Sequence, residues 1–325
     1  MGKKGEPLVA IVISNYNGEA FRFKNKPMLK TCLQSLKKTR YPNYKVVVAD
    51  DRSSDKSRQL VAGFKGVDFV LNEPENRFFA KNTNHTIRYV LKKYDPDYIM
   101  CLNNDIIVSD GSWLQKLVDT AEHDKRIGAM TMKFIYPNHT MKYAGLELKW
   151  GVIPIIRGQG SPVDAYESLD ELEILSGMLL ITRRAIDRAG LYDENFVMGL
   201  EDMDYSLRVK KAGFRIMYEG RASLIHVGGF TTKKATKETD MWFESQQFNY
   251  AYFAFKHFGF VDKVKFLFLT GFLRTFFSVG NEGMNLRNLR VRDRIPWRMK
   301  VSLVTFFDAY KRYRADGRKT WLKPA

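Results

Sequence analysis

The chain has 325 residues, of which 45% are hydrophobic and 27% are charged. This composition is typical of a globular protein and excludes a disordered or fibrous one, and the length is sufficient for one large α/β domain with an appendage. The two cysteines, Cys32 and Cys101, with no secretory segment ahead of them, predict a chain without disulfide bonds in a reducing, cytoplasmic compartment.

The formal net charge of +17 is unevenly distributed. Residues 256–325 contain 16 Lys and Arg against 5 Asp and Glu, so this tail carries a net charge of +11. Such a tail suits contact with anionic lipid, nucleic acid or an acidic substrate. Its most apolar run, residues 264–279, is too short and too charged to span a bilayer, which leaves a core helix or an interfacial helix as the alternatives.

Apolar runs alternate with amphipathic segments through the first third of the chain. Residues 8–14, 45–49, 67–71 and 98–103 have the hydrophobic character of strands buried in a sheet. Residues 28–38 repeat leucine at helical spacing, and further helices are predicted to end near residues 62 and 93. This alternation predicts an α/β fold with a doubly wound, mostly parallel sheet.

Polar clusters follow three of these strands. They are Ser14-Asn15-Tyr16-Asn17, Asp50-Asp51-Arg52-Ser53-Ser54-Asp55 and Asn103-Asn104-Asp105. Ligands of open α/β sheets bind beyond the carboxyl ends of the strands, so we expect the three clusters to converge. The alternative is that these residues only form turns and helix caps.

The second half shows a further group of acids at the predicted start of a helix. Glu201, Asp202 and Asp204 precede a helical pattern that ends at Gly213, and the helix dipole favours their charged forms. An ionised, positioned carboxylate can serve as a general base, although a well-capped helix would show the same pattern.

Strands are predicted on both sides of these acids. Residues 128–135 and 141–150 are predicted to form a second, mixed section of sheet, and residues 151–170 a loop. Shorter strands are predicted at residues 176–181 and 214–218, with His226 beyond the second one.

Taken in order, these motifs resemble family 2 glycosyltransferases of the GT-A fold, and most closely the rhamnosyltransferase-like group that builds surface polysaccharides. The resemblance spans roughly residues 8 to 255, and its second half is carried by Gly177, Arg183, Arg184, Gly190, Asp193, Glu194, Glu201, Asp202, Asp204, Leu207, Arg208, Gly213, Phe214 and His226. It implies a GT-A domain over residues 1–235, with a nucleotide-binding half of about 1–110 and an acceptor-binding half of about 111–235. A helical extension over residues 236–325 would follow.

The resemblance also implies roles for single residues. It implies a nucleotide-sugar site formed by Ser14, Tyr16, Asn17, Asp50, Asp51, Arg77, Lys81, Asn104 and Asp105. It implies a Mn²⁺ or Mg²⁺ ion held by Asp105 and His226, and an acceptor site formed by Gly177, Glu201 and Asp204. Asp202 would be the general base, with Glu201 beside it as a second catalytic carboxylate.

Two positions depart from the family pattern. Phe78 stands where glycine is usual, although Arg77 and Lys81 can compensate as cations near the diphosphate. Asn103-Asn104-Asp105 keeps only the last acid of the family's D-x-D metal motif.

The implied reaction is inverting transfer of a sugar from a UDP- or dTDP-linked donor to a hydroxyl of a glycan or a lipid-linked glycan. We expect a cytoplasmic protein. If residues 264–279 form an interfacial helix, residues 264–325 would make peripheral contact with the inner face of a membrane. Two other interpretations stay open. One is a nucleic-acid-binding protein, which only the basic tail supports. The other is a GT-A-like glycan-binding protein that has lost catalysis.

Overall fold

The computed structural model describes residues 5–71, 78–197, 199–228, 240–272, 278–280, 283–285 and 295–316. Within these residues, ten strands form one mixed sheet at the centre of the molecule, with an apolar core on each of its faces. Side chains of the first strand alternate between the two cores: Val9, Ile11 and Ile13 enter one, Ala10 and Val12 the other. The hydrophobic run at the start of the chain is continuous because both faces of this strand are covered.

The first half of the chain builds the parallel part of the sheet. Its strands are β1 (Val9–Asn15), β2 (Arg22–Phe23), β3 (Lys26–Pro27), β4 (Tyr44–Asp50), β5 (Val67–Leu71), β6 (Tyr98–Asn103) and β7 (Ile106–Ile107). Its helices are α1 (Met28–Leu36), α2 (Ser57–Ala62), α3 (Phe78–Tyr94) and α4 (Trp113–His123). Strand β1 pairs in parallel with β4 and β6, and β4 pairs with β5, so the predicted doubly wound arrangement is confirmed. Helix α4 is an addition to the predicted elements.

The second half extends the same sheet. Its strands are β8 (Ile127–Ile135), β9 (Met141–Tyr143), β10 (Leu146–Lys149), β11 (Ile153–Ile156), β12 (Leu169–Glu171), β13 (Leu180–Thr182) and β14 (Arg215–His226), and its helices are α5 (Arg183–Ala189) and α6 (Glu201–Lys211). Strand β13 pairs antiparallel with both β6 and β8 and so joins the two halves. Strand β8 then pairs in parallel with β14.

Several predicted boundaries in this half were wrong. The segment 151–170 is not a plain loop, because it contributes β11 and the start of β12, and the predicted strand at 141–150 is interrupted at Gly145, where φ is +100°. The strand predicted at 214–218 continues to His226 through a bulge at Gly220. A Cβ at Gly220 would lie 2.0 Å from the carbonyl oxygen of Tyr166, so this glycine marks a close backbone approach rather than the end of a strand.

The C-terminal part is mainly helical. It comprises α7 (Asp240–His257), α8 (Phe260–Phe266), a π-helical turn (Leu267–Phe272), the short strands β15 (Ser278–Gly280) and β16 (Gly283–Asn285), and α9 (Ile295–Asp316). Helix α7 packs back on the sheet domain, with the ring of Tyr252 5.2 Å from that of Phe196. Helix α9 packs on α7 through the ring of Phe306, 5.2 Å from that of Phe255. Among the described helices, none combines the length and the apolar character needed to cross a bilayer.

Candidate active site

The polar residues that end β1, β4 and β6 form one hydrogen-bonded group. The side-chain amide of Asn15 donates to Asp50 Oδ1 at 2.6 Å, and that of Asn104 donates to Asn15 Oδ1 at 2.7 Å. The three polar clusters therefore converge as expected from strand order. Buried Asn15 lies at their centre, although it was not among the predicted site residues; its position at the end of a buried strand was the available signal.

Asp50 and Asn17 hold the loop that follows β4. The backbone N–H and the hydroxyl of Ser53 donate to Asp50 at 2.9 and 2.7 Å. Asn17, at a φ of 52°, accepts from the backbone N–H of Ser54 at 2.8 Å. Asp50 and Asn17 therefore stabilise this turn, as the turn interpretation predicts. The neighbouring Asp51 is buried at the same edge.

Other predicted donor-site residues lie around this edge. Tyr16 is 40% exposed, and the hydroxyl of Ser14 lies 3.0 Å from that of Thr83. Lys81 is exposed in the first turn of α3. Arg77 lies outside the described residues.

Phe78 has a φ of 57°, in the left-handed region that glycine adopts readily. It stands where the family pattern has glycine, a residue that would adopt this conformation without strain.

Asp105 and His226 lie together, as predicted. His226 Nε2 is 3.2 Å from Asp105 Oδ1, and the pairing of β7 with β14 places His226 opposite Ile106. Burial alone would raise the pKa of Asp105, but the nearby His226 and Lys142 outweigh it and hold that pKa below its ordinary value. Asp105 is therefore a buried carboxylate in its charged form.

The pair fits part of a divalent-cation site. Asp105 Oδ1 is buried and accepts no hydrogen bond among the described residues, so it has a lone pair to offer. The described residues contain no group of three or more His, Cys, Asp or Glu side chains suited to a metal ion. A cation here would therefore need further oxygen ligands, which a nucleotide diphosphate can supply.

Asp202 is held in place from two sides. Its Oδ2 accepts hydrogen bonds from the hydroxyl of Ser176 at 2.7 Å and from the backbone N–H of Gly177 at 2.5 Å. Its Oδ1 accepts from the backbone N–H of Met203 at 2.7 Å. Ser176 was predicted only as part of a strand, but its hydroxyl fixes the carboxylate of Asp202. The sequence signal for this role was a small polar residue next to Gly177.

Glu201 and Asp202 are adjacent carboxyls that oppose each other's ionisation. Burial and the charge of Asp202 raise the pKa of Glu201 to about 8, and burial also raises the pKa of Asp202 despite its hydrogen bonds. The expectation that the helix dipole alone keeps these acids ionised is thus too simple. Asp202 accepts three hydrogen bonds that favour its charged form, while Glu201 accepts one from the backbone N–H of Gly199, at 2.8 Å. Of the two carboxyls, Glu201 is therefore the one that holds a proton near neutral pH.

Phe134 connects the two groups. A Cβ on Gly177, the residue that binds Asp202, would lie 3.5 Å from the Phe134 ring. The same ring lies 5.8 Å from that of His226, which contacts Asp105. Gly177, which binds the base candidate, and His226, which contacts the cation candidate, therefore both lie beside this one ring.

Asp204 is not placed for acceptor binding. Its side chain is fully buried, Oδ2 accepts from Arg208 Nε at 2.8 Å, and Oδ1 lies 2.5 Å from Lys256 Nζ and 2.8 Å from His257 Nε2. Burial would raise the pKa of Asp204, but these cationic partners outweigh it and lower that pKa strongly. Asp204 is an anchor between helices α6 and α7.

The sequence profile of the family described as "Glycosyl transferase family 2" matches residues 10–186, more than half of the 325-residue chain. The chain belongs to this family. Membership confirms the predicted enzyme class, a glycosyltransferase, and agrees with the GT-A architecture of the sheet.

Curated relatives of the chain act in glycan assembly. The chain is 26% identical over 258 residues to the O-antigen biosynthesis protein RfbC of Myxococcus xanthus, a match that covers 74% of this chain but 19% of the relative. It is 25% identical over 224 residues to the rhamnosyltransferase WbbL of Escherichia coli, covering 64% of this chain and 82% of WbbL. The chain thus spans about a fifth of RfbC and most of WbbL.

Solved structures share the fold. Residues 1–349 of S. aureus TarS in complex with UDP-GlcNAc superpose with a TM-score of 0.55 at 14% identity, covering 95% of this chain and 92% of TarS. The mannosyltransferase PcManGT from Pyrobaculum calidifontis, in complex with GDP-Man and Mn²⁺, gives a TM-score of 0.50 at 14% identity, covering 94% and 76%.

The family match includes only part of the candidate site. Its residues 10–186 contain the donor-side clusters, Asp105 and Gly177. They end before Glu201, Asp202 and His226. The roles of these three residues therefore depend on the geometry of this chain.

Proposed function

We propose that the protein is an inverting glycosyltransferase that moves a sugar from a UDP- or dTDP-linked donor to a hydroxyl of a glycan or lipid-linked glycan. The observation that supports it most is the arrangement around Phe134: Gly177, which holds Asp202, lies beside one part of the ring, and His226, which pairs with Asp105, lies beside another. A base and a diphosphate-binding pair beside one another are what a single displacement needs.

In the proposed step, Asp202 accepts the proton of the acceptor hydroxyl while the hydroxyl oxygen bonds to the anomeric carbon. The bond from that carbon to the diphosphate oxygen breaks with its electron pair, and the nucleoside diphosphate leaves from the opposite face. One base is sufficient because the configuration inverts in a single displacement. Glu201 holds the proton that the two carboxyls share and so leaves Asp202 ionised.

The donor nucleotide would lie at the edge formed by β1, β4 and β6. We assign the N3–H of the base to the carboxylate of Asp50 or Asp51, and the ring face to exposed Tyr16. Ser14 and Asn17 would complete this pocket. The UDP-GlcNAc bound to TarS supports a pyrimidine nucleotide, whereas PcManGT holds GDP-Man.

The diphosphate would lie between α3 and β7. Lys81, exposed in the first turn of α3, and Asn104 would lie near it, and Arg77 stays a prediction. Asp105 and His226 would hold Mn²⁺ or Mg²⁺ together with diphosphate oxygens, as the Mn²⁺ in the PcManGT complex supports. Bound there, the cation neutralises the charge that develops on the leaving diphosphate.

We further propose that residues 1–110 and 111–235 are the donor and acceptor halves of the catalytic domain and that 236–325 is an extension. Gly177 and Glu201, next to the base, would border the acceptor.

The extension also offers a surface for anionic lipid. On α8 and the π-helical turn, Phe260, Val264 and Phe268 recur every fourth residue and are each more than half exposed. Leu303 and Phe307 are exposed in the same way on α9. Together with the net charge of +11 over residues 256–325, this pattern suits peripheral contact with a membrane that carries lipid-linked acceptors.

A thermal-shift screen of UDP-, dTDP- and GDP-sugars, each with Mn²⁺ or EDTA, tests the donor assignment. We expect stabilisation by one pyrimidine nucleotide sugar that disappears with EDTA. Release of nucleoside diphosphate from that donor then separates an enzyme from a protein that only binds glycan. Stabilisation by none of these compounds would contradict the proposed function.

Binding to vesicles with and without phosphatidylserine, measured beside duplex DNA over a range of salt concentrations, tests the extension. We expect binding to the anionic vesicles that weakens when Leu303 and Phe307 are both changed to Ser. Tight DNA binding with a steep salt dependence would instead favour a nucleic-acid-binding protein.

A further inference from the structure

We propose that helix α7 positions the general base for the chemical step, with Asn249 and His257 as positioning residues that act on the turn containing Asp202. This inference rests on the proposed function, because it takes Asp202 as the base. It assigns a catalytic purpose to the C-terminal extension, which carries no reacting group itself.

Asn249 holds the chain just before the base. It is fully buried on α7, its Nδ2 donates to the carbonyl oxygens of Val197 and Gly199 at 2.6 and 3.0 Å, and its Oδ1 accepts from the backbone N–H of Val197 at 3.2 Å. The backbone there is unusual, since Gly199 has a φ of 127° and Leu200, a non-glycine residue, has a φ of 68°. Such a conformation persists only where its surroundings determine it, and Asn249 supplies three of the contacts.

His257 holds the chain just after the base. Its Nε2 lies 2.8 Å from Asp204 Oδ1, and its Nδ1 lies 3.2 Å from Lys211 Nζ. The ammonium of Lys211 can only donate, so Nδ1 is the accepting nitrogen and Nε2–H donates to Asp204. Burial lowers the pKa of His257, in agreement with this neutral tautomer.

The buried carboxylates of this cluster have cationic partners without a charge on His257. Lys256 Nζ lies 2.6 Å from Asp193 and 2.5 Å from Asp204, and Arg208 pairs with Asp204. Lys211 adds a third cation at His257 Nδ1, so the neutral imidazole adds a directional hydrogen bond rather than a further charge. Its contribution is to fix where Asp204 lies.

Asp202 lies between the two points at which α7 holds the chain. Asn249 binds residues up to Gly199, His257 binds Asp204, and Gly177 binds the Asp202 carboxylate from the opposite side. A loosened contact on α7 would let the first turn of α6 shift against Gly177. A displacement of about 1 Å at a reacting group costs on the order of 100-fold in rate, whereas donor binding at the β1 and β4 edge would be unaffected.

The test compares His257→Leu with His257→Gln in the full-length protein. Glutamine can place an N–H close to the position of the imidazole Nε2, so it should rescue the hydrogen bond that leucine loses. Asn249→Leu is a second loss variant at an independent contact. Glu244→Gln, on the exposed side of α7, is the matched control.

Three quantities are measured well below the lowest Tm of the set. They are UDP binding with Mn²⁺, nucleoside diphosphate release from UDP-GlcNAc or dTDP-rhamnose, and hydrogen exchange of the amides of residues 199–206. We expect His257→Leu and Asn249→Leu to keep the Kd for UDP within about twofold of the wild-type value and to lower kcat about tenfold to 100-fold. The amides of residues 199–206 should exchange faster in these two variants. His257→Gln and Glu244→Gln should stay near wild type in all three quantities.

Wild-type kcat in both leucine variants, or an equal loss in His257→Gln and His257→Leu, would overturn the inference. An active Asp202→Asn enzyme would instead overturn the base assignment. If the wild type releases no nucleoside diphosphate, the proposed function fails, and hydrogen exchange decides the positioning role alone. Equal exchange in the wild type and both leucine variants would then refute it.

Discussion

The backbone N–H of Gly177 donates a 2.5 Å hydrogen bond to the carboxylate of Asp202. Gly177 lies just ahead of β13, in the middle of the sheet, and Asp202 lies in the first turn of α6, so this contact fixes the helix against the sheet. A hydrogen bond from a backbone N–H also favours the charged carboxylate, although burial still leaves the pKa of Asp202 raised. The geometry of the proposed base therefore depends on Gly177 as much as on its own helix.

Replacing Asp202 with Asn should abolish most turnover without affecting donor binding. The amide keeps an oxygen that can accept the hydrogen bonds of Ser176 and Gly177, but it cannot take a proton. We expect kcat to fall by about 10²–10⁴-fold while the Kd for UDP with Mn²⁺ changes less than twofold. Steady-state kinetics and calorimetry measure both.

Asp187→Asn is the control for this substitution. Asp187 is an exposed acid on α5 that pairs with Arg183 at 2.9 Å, so its loss should leave kcat unchanged. An Asp202→Asn enzyme that retains most of its kcat would remove Asp202 from the role of base.

Replacing Gly177 with Ala should weaken both the fold and the base. Gly177 has a φ of +81°, and its Cβ would meet the Phe134 ring at 3.5 Å, an ordinary contact, so the cost arises from the backbone. The left-handed conformation costs an L-residue about 1–2 kcal/mol. Urea unfolding should show that loss, and kcat should fall more than about tenfold because relief of the strain moves the N–H away from Asp202.

Gly66→Ala separates the two effects. Gly66 has a φ of +77° with open space around its Cβ position, in the turn before β5 and away from Asp202. We expect a similar loss of stability with unchanged kcat. If both alanine variants lose turnover equally, the Gly177 contact has no special role in catalysis.

The parallel part of the fold could be predicted from sequence because buried strands leave a strong pattern. Strands β5 and β6 match the predicted 67–71 and 98–103, and β1 and β4 differ by one residue at each end. Strand β14 continues past the predicted end at residue 218, because Gly220 accommodates the backbone of residue 166 in a bulge. A contact between segments so distant in sequence leaves no local signal.

The candidate site was predictable where strand order determines it. The convergence of Asn15, Asp50 and Asn104 follows from parallel strands alone. The spacing of Asp202 and Asp204 argues against placing both at one site. They are two positions apart, about 200° around a helix, so their side chains point to different sides of it. The sequence could not show which of them faces inward, because the partners of Asp204 on α7 are more than fifty residues away.

Replacing Asp105 with Asn should make donor binding insensitive to metal. Asp105 Oδ1 is buried, charged and without a hydrogen bond among the described residues, which suits it to a cation. We expect UDP affinity with Mn²⁺ to fall at least about tenfold, with little change in EDTA. Calorimetric titration of UDP under both conditions measures this.

Asp110→Asn is the matched control, because Asp110 is a nearby acid that pairs with Lys116 at 2.9 Å on the surface. Its UDP affinity should stay metal-dependent. Equal UDP affinity of the wild type with Mn²⁺ and with EDTA would argue for a site that uses no metal.

Glu201 should make the fold less stable as pH rises. Its pKa is raised from an ordinary 4.5 to about 8, mainly by burial and by the charge of Asp202. Between these values the folded chain keeps a proton that the unfolded chain has lost, so the free energy of unfolding falls with increasing pH. Each pKa unit corresponds to about 1.4 kcal/mol, so the loss between pH 5 and pH 8.5 amounts to a few kcal/mol.

Glu201→Gln isolates this contribution, since glutamine can still accept the hydrogen bond from Gly199 and cannot ionise. Titrating groups other than Asp202, whose ionisation is coupled to that of Glu201, are common to both proteins and cancel in the difference. Urea unfolding at pH 5, 7 and 8.5 should therefore show the variant gaining on the wild type at each step, with most of the gain reached at pH 8.5. A difference that is independent of pH would mean that the pKa of Glu201 is not raised in the folded chain.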